Sequence, residues 1–355
     1  MTVAVVVGTR PEIIKMSPII RELDHRDLDY KIIHSGQHYD HEVSDIFFKE
    51  LDLPEPHRYL GVGSGTQGEQ TGNALIQLEK AFEEFQTDTV LVQGDTNTVL
   101  AGSLAGVKMG LDVGHVEAGL RSYDYRMPEE YNRRLADHAS SLLFAPTEES
   151  AEILRGENVW GDIFVTGNSV IDACLQNMKI AEEKASFDYK IPEEYVLVTA
   201  HRAENVDDKG VQKEFIKVFR EIDEEMIYPI HPRSVKMFKK HGLYEDLENI
   251  DGMNLVKPQG YLEFLLLMKN SKYILTDSGG IQEEATAPNI RKKVFVLRKS
   301  TERPEAVEAG YAEVVGTDSN NILSSISNFD IERWNPGKSP YGDGTTAKQI
   351  VDIMQ

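Results

Sequence analysis

A single cysteine, Cys174, in 355 residues excludes an intrachain disulfide and a cysteine-rich metal site, and suits a reducing compartment. Long apolar runs are missing too. No stretch approaches the ~18 continuous apolar residues that a membrane-spanning helix needs. The opening Met1–Gly8 has no basic leader, and its apolar run is too short for a signal peptide. Positive charge is also scarce: 38 Lys and Arg face 59 Asp and Glu, for a formal charge of −21. Such a chain repels nucleic acid and anionic membrane, and an anionic substrate needs a local basic pocket that works against the overall field. These shortages predict a soluble cytoplasmic protein with neither a nucleic-acid nor a membrane partner. His38 and His41 lack a third ligand of matching spacing, so no metal is expected.

What the chain does have is enough apolar material, 40% of its residues, for two sizeable cores, and its length points to two domains. Thr2–Val7 is β-branched and apolar throughout, the mark of a strand buried on both faces. Gly8-Thr9-Arg10-Pro11-Glu12 breaks it, Thr9 and Pro11 suit a helix start, and Pro18 should distort that helix or mark a later start. Strands at 31–35, 89–93, 113–116, 142–145 and 163–166 then alternate with helices at 70–85, 98–109 and 129–139. A second cycle follows the charged stretch 182–194, with strands at 195–199, 227–230, 254–256, 273–276, 293–297 and 312–315 and helices at 213–226, 261–269 and 281–285. Alternation of this kind predicts an α/β chain of two Rossmann-like, doubly wound parallel sheets. The domains are placed at 1–175 and 176–339. The polar clusters fall at strand carboxyl ends in both halves, so one active site in an interdomain cleft is expected.

Each cluster has a chemical reading beside a plain one. Asp277-Ser278-Gly279-Gly280 follows a strand and opens a helix, where backbone N–H groups close on an anion; Ser-Gly-Gly is also an ordinary turn. Glu284, one turn in, can accept from two ribose hydroxyls. Arg10 and Lys15 flank the first strand-to-helix turn and suit a diphosphate. Arg303 precedes Pro304 at a helix start, where a cation implies a bound anion. Asp95 reads as a helix N-cap or a catalytic acid. Glu117 ends a buried strand and needs a partner, of which Arg121 is the plain choice. Glu129 and Glu130 follow Pro128 in a first turn. His201-Arg202 ends the first strand of the second half, where a histidine can donate to a phosphoryl oxygen or assist a leaving group. The Gly63–Gly68 segment fits a dinucleotide fingerprint formally, but no strand is expected before it.

Taken in order, Gly8–Met16, Gln93–Thr96, Gly114–Arg121, Pro128–Glu130, Asn132-Arg133, Thr166–Asn168, His201-Arg202, Thr276–Glu284, Thr301–Val307 and Pro340–Gly344 resemble the non-hydrolysing UDP-N-acetylglucosamine 2-epimerases along nearly the whole chain. The resemblance implies a glycosyltransferase-B-like fold whose last helix, 340–355, packs back on the first domain. It also implies a homodimer, no redox cofactor, and epimerisation of UDP-GlcNAc to UDP-ManNAc at C2 by anti elimination of UDP and syn re-addition. By position the catalytic residues fall on Asp95, Glu117, Glu129 and His201. The substrate contacts fall on Arg10, Lys15, Arg202, Gln259, Phe264, Ser278, Gly279, Gly280, Glu284 and Arg303. Gln37, His38 and Gln70 look like part of the regulatory sugar-nucleotide site of substrate-activated members, but Tyr39 and Glu69 stand where arginine is expected, and Glu69 would repel a diphosphate. A hydrolysing epimerase, a glycosyltransferase of the same fold and a non-catalytic sugar-nucleotide sensor are the alternatives.

Overall fold

A computed structural model describes residues 1–36 and 41–355, with the backbone alone for 41–45; Gln37, His38, Tyr39 and Asp40 lie outside the described residues, as does the side chain of His41. The chain divides into two compact units, Met1–Gln176 with Tyr341–Gln355, and Asn177–Pro340. In the first, β1 (Val3–Val7), α1 (Arg10–His25), β2 (Tyr30–His34), α2 (His41–Glu50), β3 (Arg58–Tyr59), α3 (Gln67–Glu84), β4 (Thr89–Gln93), α4 (Asn97–Lys108), β5 (Asp112–Val116), α5 (Pro128–Ala139), β6 (Leu142–Ala145), α6 (Glu148–Gly156) and β7 (Asp162–Val165) alternate, and α7 (Ser169–Lys184) leads out of it. They build a seven-stranded sheet of order β3-β2-β1-β4-β5-β6-β7, parallel at every pairing.

The second unit holds β8 (Val196–Thr199), α8 (Ala203–Val206), α9 (Lys209–Glu221), β9 (Met226–Pro229), α10 (Pro232–His241), α11 (Tyr244–Glu248), β10 (Met253–Val256), α12 (Tyr261–Asn270), β11 (Ile274–Thr276), α13 (Gly279–Glu284), β12 (Val294–Val296), α14 (Pro304–Glu308), β13 (Ala312–Val314) and α15 (Ser319–Ser327). Its six strands are parallel in the order β10-β9-β8-β11-β12-β13. The final helix, α16 (Thr346–Met354), belongs to the first unit and packs on α1.

The strands read as continuous apolar runs because helices cover both faces, and every residue of β1 is buried. The first core gathers Val6, Leu78, Phe82, Val90 and Val92; the second gathers Val198, Phe215, Phe219, Tyr228 and Phe295. Pro18 neither ends nor delays α1, which runs through it. The carbonyl of Ile14, which a proline cannot serve, accepts instead from Ser17 Oγ at 2.8 Å. The helix expected at 213–226 lies four residues earlier at its start, because Asp208 caps it through the N–H groups of Gly210 and Val211. A two-residue strand, β3, does precede the Gly63–Gly68 segment; Glu69 there closes a capping box, accepting from Thr66 N at 2.9 Å. The α16 start is held from afar: Asp172 accepts from Thr346 N at 3.3 Å and Ala347 N at 3.0 Å. No helix among the described residues is long and apolar enough to cross a membrane.

Candidate active site

Strand order reverses between β1 and β4, and their carboxyl ends open a crevice in the first unit. Glu12 spans it. One carboxylate oxygen accepts from Gly8 N and from Thr9 N (3.0 Å), the other from Thr96 Oγ1 (2.6 Å). Burial pushes its carboxyl up to about 7 against those three hydrogen bonds, and nearby Asp95 adds to the rise. Gly8 has to be glycine here, because a Cβ would run into Ser35 Oγ and Thr98 Oγ1.

Beside this bridge stand the carboxylates. Glu117 follows β5 with φ +70°, a left-handed conformation that is uncommon for a residue with a side chain. It is held there by two backbone donors, Glu117 N and Ala118 N, both 3.1 Å from Phe144 O. Its carboxylate receives Lys15 Nζ at 2.6 and 2.8 Å and Gln93 Nε2 at 2.5 Å, and the ion pair is nearly enclosed, 5% and 14% exposed. Arg121 is therefore not its partner, contrary to expectation. The left-handed residues Glu117 and Gly119 turn the chain between them, and Arg121 pairs with Asp137 at 2.7 Å and Glu157 at 2.7 Å.

Asp95 is not the cap of α4; Thr96 is. The Asp95 carboxylate pairs with Arg133, and its carbonyl accepts from Asn132 Nδ2 at 3.0 Å. Glu130 is buried and committed to Ser122 N and Oγ (2.9 Å each) and to Arg133 and Arg134 (3.1 Å each). Its neighbour Glu129 is half-buried and makes no hydrogen bond or ion pair among the described residues. Arg10 lies 5.2 Å over the Phe47 ring, with no carboxylate partner among the described residues.

The second unit repeats the device. Its switch point falls between β8 and β11, and buried Asp277 crosses it, accepting from His201 N (3.0 Å), Arg202 N (2.9 Å) and Asn205 Nδ2 (3.0 Å). The Ala200 carbonyl just before is held by Tyr228 Oη at 2.7 Å and Ser234 Oγ at 2.8 Å. The His201 ring is about half exposed, with Nδ1 3.4 Å from Asp277. Desolvation lowers its proton affinity, His231 and Arg202 add to that, and Asp277 opposes. Ser278 N donates to Thr276 Oγ1 at 3.0 Å, and Gly279 and Gly280 start α13. Arg202 reaches Glu302 at 3.0 Å. Burial would raise the Glu302 carboxyl, yet Arg298, Arg202 and Arg303 hold it at about 2. Arg303 caps α14, and the anion beside it is internal: Glu283.

The family model for UDP-N-acetylglucosamine 2-epimerase matches residues 21–355. The UDP-N-acetylglucosamine 2-epimerase of Methanocaldococcus jannaschii is 47% identical over 364 residues, covering 100% of this chain and 99% of that protein. The chain belongs to the UDP-N-acetylglucosamine 2-epimerase family. The crystal structure of the M. jannaschii epimerase in complex with UDP-GlcNAc and UDP superposes with a TM-score of 0.84 at 46% identity, covering 100% of this chain and 99% of that one. The Neisseria meningitidis epimerase bound to UDP-GlcNAc gives 0.87 at 36% identity with the same coverage. The α/β class, two Rossmann-like doubly wound sheets of the glycosyltransferase-B-like kind, is thus the expected one.

Within this epimerase-family chain, the first unit links Lys15 to Glu117 directly, and Glu12 ties the Arg10 turn to the Asp95 turn. The second unit ties the His201-Arg202 turn to Asp277 beside Ser278, Gly279 and Gly280. Glu284 ends α13, half-buried. Gln259 and Phe264 come from the turn after edge strand β10 and from α12; Gln259 Nε2 donates to Lys257 O at 2.6 Å. Gln70, on α3, accepts from Asn97 Nδ2 at 3.0 Å. Glu12, Gln93, His115, Arg133 and Asp137 were not singled out by type and spacing. For Glu12 a signal existed, since it stands at capping-box distance from Thr9. For His115 the signal was an ionisable side chain inside an apolar strand.

Proposed function

We propose that the protein interconverts UDP-GlcNAc and UDP-ManNAc by inverting C2, with no redox cofactor and no net hydrolysis. The C2 proton has no adjacent carbonyl to acidify it, so a lone carboxylate cannot remove it easily. Elimination solves this: the C1–O bond breaks as the C2 proton goes to a carboxylate, leaving UDP and 2-acetamidoglucal. The diphosphate oxygen then adds back to C1 while a proton is delivered to the opposite face of C2.

The observation that carries this reading is the cluster of Glu117, Lys15, Gln93 and Asp95 at the carboxyl ends of β4 and β5 and the first turns of α1. We assign proton transfer to Glu117 and Asp95, and stabilisation of the cationic ring to Glu129, which is unpaired among the described residues. The leaving diphosphate falls to His201, Arg202 and the Ser278–Gly280 turn, with Arg10 on the sugar-nucleotide as well; Arg303, held by Glu283, is free to bind only if that pair rearranges. Gln259, Phe264 and Glu284 serve the uridine in this reading.

The enzyme is taken as a cytoplasmic homodimer. Exposed Tyr123, Tyr125, Tyr131, Leu135 and Trp160 on the first unit support a second copy as the partner, and light scattering tests it. The reaction is tested by NMR of UDP-GlcNAc in heavy water with purified protein and nothing else. UDP-ManNAc carrying deuterium at C2 is expected. Unlabelled UDP-ManNAc removes the elimination mechanism, free ManNAc with UDP makes the enzyme hydrolysing, and no turnover with retained binding makes it a sensor.

A further inference from the structure

His115 lies inside β5, fully enclosed, and touches none of the groups assigned to the chemistry. Its Nδ1 is 2.7 Å from Asp137 Oδ1 and its Nε2 is 2.7 Å from the Gly94 carbonyl oxygen. Both partners can only accept. Asp137 is itself fed by Arg121 at 2.7 Å and by Gly119 N at 3.3 Å, which fixes it as a carboxylate acceptor. A neutral imidazole carries one N–H and would set a bare lone pair against one of these oxygens; the imidazolium donates from both nitrogens and satisfies both.

The far end of this contact matters for the site. Gly94 is left-handed, φ +87°, and its carbonyl leads directly into Asp95. The Asp95 carbonyl is held by Asn132, and the carboxylate by Arg133. His115 therefore completes a set of ties in which both peptide groups around Asp95 and its side chain are each fixed by a different residue. Two positions further along the chain stands Glu117, so the same ring also joins the ends of β4 and β5 at the level of the two carboxylates. The charged groups around it are Asp137 from α5, Arg121 from the segment after β5, and Glu157 beyond Arg121.

We infer that His115 is a buried imidazolium whose two N–H groups, one on Asp137 and one on the Gly94 carbonyl, make it a positioning residue for Asp95; the kinetic part rests on the epimerase reading. Burial alone would strip the ring of its second proton, but Asp137 and the Gly94 carbonyl outweigh it and raise the proton affinity above the ordinary histidine range.

The test uses the full-length chain with 15N-labelled histidine. One histidine should keep both ring nitrogens protonated at pH 6.5 and above it, where an ordinary histidine is losing one, and its signals should vanish in His115→Gln. A His115 ring that already has one bare nitrogen at pH 6.5 overturns the assignment. In the same His115→Gln variant, folded by circular dichroism, kcat for UDP-GlcNAc should fall on the order of 10²-fold, as misplacement of a reacting group does, with KM within about threefold. A wild-type kcat overturns the positioning role. If that variant does not fold, Asp137→Asn replaces it, and kcat should fall by the same order. An unchanged kcat there, or loss of the fold in both variants, overturns positioning in favour of stability alone. A wild-type protein that leaves UDP-GlcNAc unaltered removes the epimerase reading instead, and the ring spectrum still decides the charge of His115.

Discussion

Glu12→Gln should make the first unit less sensitive to alkaline pH. The glutamine fits the bonding pattern of the glutamate: its oxygen can accept from Gly8 N and Thr9 N, and its amide can donate to Thr96 Oγ1. What the change removes is the burial of a charge. Burial raises this carboxyl from 4.5 to about 7, so the folded chain holds the proton more tightly than the unfolded one. The stability linked to that proton is fully present below the unfolded value and is lost as pH climbs through about 7. At ~1.4 kcal/mol per pH unit, the carboxyl costs the fold about 1.4 kcal/mol at pH 5.5 and about 3.4 kcal/mol at pH 8.5, whereas glutamine costs the same at both. The wild type should therefore lose about 2 kcal/mol more than the variant across that interval. This corresponds to a urea midpoint difference on the order of 0.5–1 M. Trp160 reports the first unit in a Trp334→Phe background. Parallel pH responses of the two proteins would refute the reasoning, as would a variant destabilised equally at both pH values.

Glu117→Gln should lower turnover by at least about 10³-fold while UDP affinity, read by calorimetry, stays within several-fold; substantial residual turnover removes Glu117 from the proton transfer. Because His201 holds its proton more weakly than an ordinary histidine, it is neutral at pH 7. Any acid limb of kcat/KM, which reports the free enzyme, that disappears in His201→Gln should lie below pH 6.5, and a limb above that value contradicts the assignment. Asp277→Ala removes the acceptor of the part-buried His201 and Arg202 N–H groups and of buried Asn205, at up to about 1–3 kcal/mol for each donor left without a partner. Chemical denaturation should show a loss on the order of 2 kcal/mol or more, and a loss below about 1 kcal/mol means that water replaces the carboxylate. Asp172→Ala removes the remote cap of α16, at about 1–2 kcal/mol; limited proteolysis should then release the C-terminal segment first.

The fold was legible because its strands are buried on both faces. Val3–Val7 carries no polar residue to mask the run, and Val90–Val92 and Val196–Val198 read the same way. The turns that end these strands were legible for a related reason, since polar residues abruptly following such runs have to sit at strand ends. The first α9 turn was missed although Asp208 announced it, because the apolar spacing continues through Ile222 and Met226 and drew the helix too far along. Partners were harder. Glu117 seemed to belong with Arg121, four residues on, but its cation is Lys15, 102 positions away. Asp95 finds Arg133 at a separation of 38. Periodicity carries no record of such meetings; they depend on which strands lie side by side.

Strand order explains why a carboxylate crosses each switch point. Between β1 and β4, and again between β8 and β11, adjacent strands send their chains away in different directions, so the backbone N–H groups just past the strand ends lose the ladder that would have served them. Where such groups are buried they cannot be left unpaired. In the first unit Glu12 reaches them from inside the helix that follows β1; in the second Asp277 reaches them from the end of the neighbouring strand. The solutions come from opposite sides of the gap and share a consequence. Each carboxylate is consumed by the backbone, so neither can act as an acid or base on a ligand, and the side chains left for chemistry are those beside it: Asp95 and Glu117 in one unit, His201 in the other. Buried acids at a crevice invite a catalytic assignment, and the donors already bound to Glu12 and Asp277 argue that here they are scaffolding.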